Sequence, residues 1–271
     1  MDCETKYPIM MVHGLAFRDR KHICYWGRIP AALRAQGATI FFGRQDGWGT
    51  IEYNAGVLKD NINWILSETG CEKINLIAHS KGGLDARCMI SSCDMGDKIA
   101  SLTTISTPHH GCVTISRLCR LPKWIFRVIA VFTNSLFRLL GDKRPDFFTA
   151  TMQLRKEFMD GFNEQNPDAS EVYYQSYAGV MKNSFSDILL SFPHFVVFRV
   201  EGENDGLVTL ASAEWTNFKG VLRGATRRGI SHADEIDARR RNYTKKISDS
   251  GISDIREFYI DVVSGLKRMG L

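Results

Sequence analysis

Several features are missing from this 271-residue chain, and each absence closes off a class of protein. No stretch approaches the ~18 consecutive apolar residues that a membrane-spanning helix needs. The opening residues, MDCETKYPIMMVHG, run almost directly into a strand, with no charged n-region, apolar core or small-residue cleavage site. The expectation is a chain without a signal peptide: cytoplasmic, or secreted with its signal already trimmed. Seven cysteines (Cys3, Cys24, Cys71, Cys88, Cys93, Cys112 and Cys119) are an odd number without metal-like spacing, and read as reduced, buried thiols rather than a disulfide framework. Internal repeats and low-complexity tracts are absent, and no glycine spacing suits a phosphate, so neither a nucleotide nor a redox cofactor is expected. Apart from a modest net charge of +5, nothing suggests nucleic acid as a partner.

The composition that remains, 44% hydrophobic and 24% charged, is that of a globular protein with one large core. Strand-like runs alternate with helix-length segments through the first half, which predicts an α/β protein with a mostly parallel sheet flanked by helices. YPIMMVH (7–13), ATIFF (38–42), INLIAH (74–79) and KIASLTTIS (98–106) read as strands. Segments 26–36 and 52–69 carry helical spacing, the second with Val57, Ile62, Ile65 and Leu66 on one side. After Pro108 the alternation stops and returns near Val172. FPHFVVFRVEG (192–202) reads as a later strand and 253–269 as a final helix. The whole chain is expected to be one domain with a helical lid or cap inserted at about 112–172. Within that insertion Leu118, Leu121, Ile125, Val128, Phe132, Leu136 and Leu139 form an apolar stripe on a helix broken near Pro122. The stripe suits either a lid or a packed core helix. Basic residues gather at Arg117, Arg120, Lys123 and Arg127, and again from Arg223 to Lys246; each cluster is a solvated face or a contact for an anionic surface.

INLIAHSKGG, residues 74–83, carries the chemistry. A buried strand ending in small-x-Ser-x-Gly and passing at once into a helix makes a nucleophile elbow, with Ala78 where a first glycine usually stands. The turn is so tight that side chains two before and two after Ser80 must be nearly absent. A serine hydroxyl needs an adjacent base and an acid to orient it, which in this arrangement follow in the order Ser, Asp, His. Among His109, His110, His194 and His232, only His232 falls in a polar loop after the last apparent strand. Asp205, in the ENDG turn, is the preferred acid over Glu203 and Asp187. Backbone donors for a developing oxyanion are expected at Lys81, directly after the nucleophile, and at Leu15 in the His13-Gly14 loop, with Ala16 in reserve.

These segments together resemble the bacterial true lipases of the α/β-hydrolase superfamily, the group typified by the Pseudomonas and Burkholderia enzymes. The likeness runs through YPIMMVHGL, INLIAHSKGG, STPHHG, VYYQSYAG, GENDGLV, SHADEID and the closing GLKRMGL. It implies an α/β-hydrolase fold, with Ser80 as nucleophile, Asp205 as acid, His232 as base, and Leu15 and Lys81 as oxyanion donors. The resemblance also implies a structural calcium on the histidine loop. Asp234 matches one ligand and Asp187 suits another, but Ala238 stands where a glutamine ligand is expected. The competing reading pairs Asp234 with nearby arginines. The family's disulfide has no counterpart either, since NDGLV is followed by TLASAEW. The expected function is therefore a serine lipase acting on lipid esters at a lipid–water interface. A short-chain carboxylesterase with a fixed cap, a phospholipase or acyltransferase with the same triad, and an inactive lipid-binding protein are the alternatives.

Overall fold

A computed structural model of the chain describes residues 1–16, 18, 24–224, 228–240, 242 and 251–271. Six parallel strands form one sheet in the order β2-β1-β3-β4-β5-β6: β1 (Ile9–Val12), β2 (Ile40–Phe42), β3 (Ile74–His79), β4 (Ile99–Ile105), β5 (Tyr173–Gly179) and β6 (Phe218–Leu222). Successive side chains of a strand point to opposite faces, and both faces here are covered. Met10, Val12, Leu76 and Ala78 face α2 (Ile51–Thr69) and α3 (Lys81–Ser92). Ile9, Met11, Ile77 and Ile105 face α1 (Ile29–Ala35) and α10 (Ile255–Arg268). This double burial explains why β1 is wholly apolar and why β3 and β4 carry no Asp, Glu, Lys or Arg. All seven cysteines are free thiols, and burial pushes that of Cys88 up to about 12.

Between β4 and β5 four helices interrupt the alternation: α4 (Val113–Leu118), α5 (Lys123–Leu139), α6 (Phe147–Met152) and α7 (Lys156–Gln165). Pro122 caps the start of α5, so the break falls where the sequence places it. The stripe expected on this segment faces outward: Val128, Phe132, Leu136 and Leu139 are exposed, and Ala130 is the only fully buried residue of α5. The core-helix alternative is therefore removed.

The segment 192–202, read as a strand, is instead a helix, α8 (Ser191–Glu201), and His194 lies on it. Its apolar residues recur every third position, Phe192, Phe195 and Phe198, while His194 and Val197 turn inward. Pro193 sits in the first turn, where the missing N–H would have had no intrahelical partner. The strand that pairs with β5 is β6 instead, a short edge strand, half-exposed, following the four-residue helix α9 (Leu210–Ala213). A short apolar run does not by itself distinguish strand from helix, and the edge position weakens the alternation that would have revealed β6. The later basic run lies partly outside the described residues, at 225–227, 241 and 243–250. No described helix is long and apolar enough to cross a membrane.

Candidate active site

Ser80 joins β3 to α3 with φ +54°, a left-handed conformation that a serine adopts only when its surroundings enforce it. The enforcement is local and steric. A Cβ on Gly82 would lie 2.3 Å from the His13 carbonyl oxygen, and one on Gly83 would lie 2.1 Å from Thr107 Oγ1. The Thr107 hydroxyl donates to the Ser80 carbonyl at 2.8 Å, and the Ser80 N–H donates to the Ile105 carbonyl at 2.9 Å. Small residues around the serine are thus a packing requirement, as the motif implies.

The loop after β1 touches the same point. A Cβ on Gly14 would meet Ser80 Cβ at 2.8 Å, so the backbone passes directly beside the nucleophile position. Ala16 N–H, the reserve donor of that loop, is spent on the Gly47 carbonyl at 3.0 Å. Lys81 opens α3, where the first N–H groups have no intrahelical acceptor. Its ammonium is turned away and buried against the Asp85 carboxylate at 2.5 Å.

Asp205 and His232 meet although 27 residues separate them. Asp205 Oδ2 accepts from His232 Nδ1 at 2.7 Å, and Oδ1 accepts the N–H groups of Leu207 and Val208 at 2.9 and 2.8 Å. Burial alone would raise the Asp205 carboxyl, but His232 and these donors outweigh it and hold it below its ordinary value. His232 N–H donates to the Asp205 carbonyl at 2.8 Å, a second tie that fixes the histidine loop. The rivals fall elsewhere. Glu203 is exposed, His194 bonds Ser184, and His109 is stacked on Trp215 with Thr104 and Arg87 on its ring nitrogens.

Sequence reasoning gave no role to the group beneath His232. His79, adjacent to Ser80, lies 4.3 Å from His232 between ring centroids. Its ring nitrogens bond Tyr25 Oη and Glu235 Oε2, both at 2.8 Å, and Ser106 Oγ donates to Glu235 Oε1 at 2.7 Å. Burial, then the charge on His232, lowers His79 well below its usual value; burial, then the charge on Asp205, raises Glu235 well above. Burial disfavours the charged form of each, and their contact is a hydrogen bond wholly shut away from water. Among the described residues, His79, His232 and Glu235 are the one set of histidines and carboxylates close enough to share a metal, their ligand atoms lying within 4.8 Å. Within that set His79 and Glu235 already bond each other, and His232 Nδ1, 3.7 Å from Glu235 Oε2, is bonded to Asp205 instead. His79 and Glu235 both occur in motifs visible in the sequence, but their contact spans 156 residues and has no local signal.

The calcium site implied by resemblance does not fit these residues. Asp187 Oδ1 pairs with the Arg239 guanidinium, and Arg239 Nη1 lies 3.9 Å from Asp234 Oδ1. Ser231 binds both acids, its hydroxyl on Asp187 at 2.7 Å and its N–H on Asp234 at 3.3 Å. Burial pushes Asp187 upward, but Arg239 and Ser231 bring it below the usual range. A guanidinium between two carboxylates takes the position and charge that an ion would need, and Ala238 adds no side-chain oxygen. Calcium needs six to eight oxygens, and this set does not supply them.

A left-handed serine between β3 and α3, in a parallel sheet with helices on both faces, together with a buried acid–histidine pair, is the arrangement of an α/β-hydrolase. Residues 43–221, more than half of the chain, match the family model described as palmitoyl protein thioesterase. The chain is 30% identical to triacylglycerol lipase 2 of Saccharomyces cerevisiae, over 91% of this chain and 74% of that one. It is 28% identical to a triacylglycerol lipase of Pseudomonas fragi over 98% of both. The solved Staphylococcus hyicus lipase shares its fold at TM-score 0.68 and 16% identity, covering 99% of this chain and 97% of that one. The chain belongs to the family of that model and, among the α/β-hydrolases, to the triacylglycerol lipases of bacterial type. It is a lipid ester hydrolase.

Proposed function

We propose that the chain is a triacylglycerol lipase that forms an acyl-enzyme on Ser80. The observation that carries this reading is the 2.7 Å contact between His232 Nδ1 and Asp205 Oδ2. It fixes the tautomer in which Nε2 is free to take a proton. Ser80 Oγ attacks the ester carbonyl while His232 Nε2 removes the hydroxyl proton. The oxyanion is met by the N–H groups of Leu15 and Lys81, and Asp205 stabilises the imidazolium. His232 then returns the proton to the departing alcohol, and water, activated the same way, releases the fatty acid. No step requires a metal.

The helices inserted between β4 and β5 act as a lid in this reading, because the outward stripe of α5 suits an oil surface. Initial rates on tributyrin should rise steeply once the substrate exceeds its solubility limit; saturation below that limit would mean a fixed-cap esterase. Ser80→Ala should abolish hydrolysis with folding intact, and Asp205→Asn or His232→Ala should lower it at least ~10³-fold. Near-wild-type activity in any one variant would remove that residue from the reading.

The description of the matched family supports a second reading, in which the acyl group arrives as a thioester. The same acyl-enzyme would form with a thiol as leaving group. Comparing kcat/KM on palmitoyl thioesters and on triacylglycerols separates the two.

A further inference from the structure

The exposed apolar surface of this protein is concentrated on elements that leave the C-terminal edge of the sheet, the edge that holds Ser80. On α5, Trp124 (66% exposed), Val131 (64%), Phe132 (74%) and Leu139 (87%) stand in water. After β5, Phe185, Ile188, Leu189, Phe192, Phe195 and Phe198 are all exposed, the first three above 80%. The two surfaces are linked through α4, which packs on α8 and whose Thr114 N–H donates to Glu201 at 2.6 Å. Large apolar side chains left in water on so few neighbouring elements mark an interaction surface.

Charge identifies the partner. Residues 113–156 hold nine lysines and arginines against two aspartates and no glutamate, more than the whole chain's net excess of +5. Across α4 and α5 five basic side chains, Arg117, Arg120, Lys123, Arg127 and Arg138, are exposed with no acidic one among them. Arg127 and Arg138, eleven residues apart, fall almost in line along one side of α5, beside the outward apolar row. On α8 the Arg199 guanidinium stands 6.0 Å from the Phe195 ring centroid. Apolar groups flanked by cations suit a surface whose interior is hydrocarbon and whose skin is negative. A neutral oil droplet would leave these cations without a counter-charge.

We infer that α4, α5, α8 and the loop before α8 dock the protein on a bilayer containing anionic phospholipid, bringing Ser80 to esters held in that bilayer. This rests on the proposed lipase reading for its consequence but not for its test. Full-length Ser80→Ala protein would be co-sedimented with vesicles of phosphatidylcholine alone and with vesicles containing about 30% phosphatidylglycerol, at low and high salt. At least ~10-fold stronger partitioning into the anionic vesicles, lost at high salt, is expected, since each juxtamembrane cation contributes several-fold. Arg127→Gln with Arg138→Gln should weaken anionic binding several-fold while hydrolysis of soluble p-nitrophenyl butyrate by the otherwise wild-type protein stays unchanged. Phe192→Ser with Phe195→Ser should lower binding to both vesicles. Equal binding to the two vesicle types, binding to neither, or a dimer that buries this face and is lost in Phe132→Ser would overturn the inference. The soluble-ester rate reads the chemistry separately: wild-type hydrolysis with no anionic preference removes the docking surface alone, and Ser80→Ala that still hydrolyses removes the nucleophile alone.

Discussion

Helices α3 and α5 both leave the same edge of the sheet, yet they are built on opposite terms. Ten of the twelve residues of α3 are buried, from Lys81 to Ile90. In α5, seventeen residues long, only Ala130 is. The first is held by contacts on every side, which is what keeps Ser80 in a left-handed conformation. The second is held along one narrow row and keeps its largest apolar side chains in solvent. The proposed nucleophile thus sits where the structure is over-determined, and the proposed contact with a lipid surface where it is least so.

The sharpest way to break this contrast is to put the same kind of small change into each half. Gly82→Ala places a Cβ 2.3 Å from the His13 carbonyl oxygen, which as backbone cannot step aside, so a loss of about 3 kcal/mol is expected in urea unfolding together with most of the activity. Phe132→Ser, at a residue 74% exposed, should leave stability within about 0.5 kcal/mol while lowering the rate on emulsified substrate. Equal losses in the two variants would erase the distinction between a rigid site and a loosely held insertion.

A somewhat smaller effect is expected where the histidine loop is anchored. Arg239→Ala, removing the clamp between Asp187 and Asp234, should lower stability by about 2 kcal/mol, discounted because the guanidinium is a quarter exposed. A chelator should leave the wild-type melting temperature unchanged; a drop of several degrees would show that a metal, and not the arginine, holds the loop.

The smallest effect concerns pH. Burial lowers His13 to about 4, and lowers His79 and His109 well below 6.5. On acidification the unfolded chain takes up these protons first. The stability they contribute is therefore fully present above pH 6.5 and is lost as pH falls below it. His109→Gln, which keeps a polar group beside Thr104 and Arg87, should reduce the slope of unfolding free energy below pH 6.5, by an amount that grows to at most about 1.4 kcal/mol per pH unit near pH 5. Asp85 and Glu235, whose pKa values are raised, act in the opposite direction in both proteins and cancel from the difference. An unchanged slope would mean that His109 is charged in the folded state.

Much of the protein was readable in its sequence, for local reasons. Ser80 was legible because a left-handed nucleophile demands small neighbours, and Gly82 and Gly83 stand beside it for that reason. Strands β1, β3 and β4 were legible because burial on both faces excludes charged residues from them. Asp205 and His232 could be ranked, because order along the chain and loop context favoured them over Glu203 and His194. What failed was local too: Phe192–Gly202 has the composition of a strand, and only packing of His194 and Val197 against the body of the protein makes it helix α8.

The sequence by itself determined the elbow, the strands β1 to β4, the break at Pro122 and the cationic character of the insertion. Tertiary structure alone decided which way the α5 stripe faces, that Glu235 and Tyr25 enclose His79, and that Arg239 lies between Asp187 and Asp234. The first set follows from steric and hydrophobic rules acting over a few residues. The second depends on contacts between residues up to 156 positions apart, whose partners and protonation are fixed only when burial brings them together.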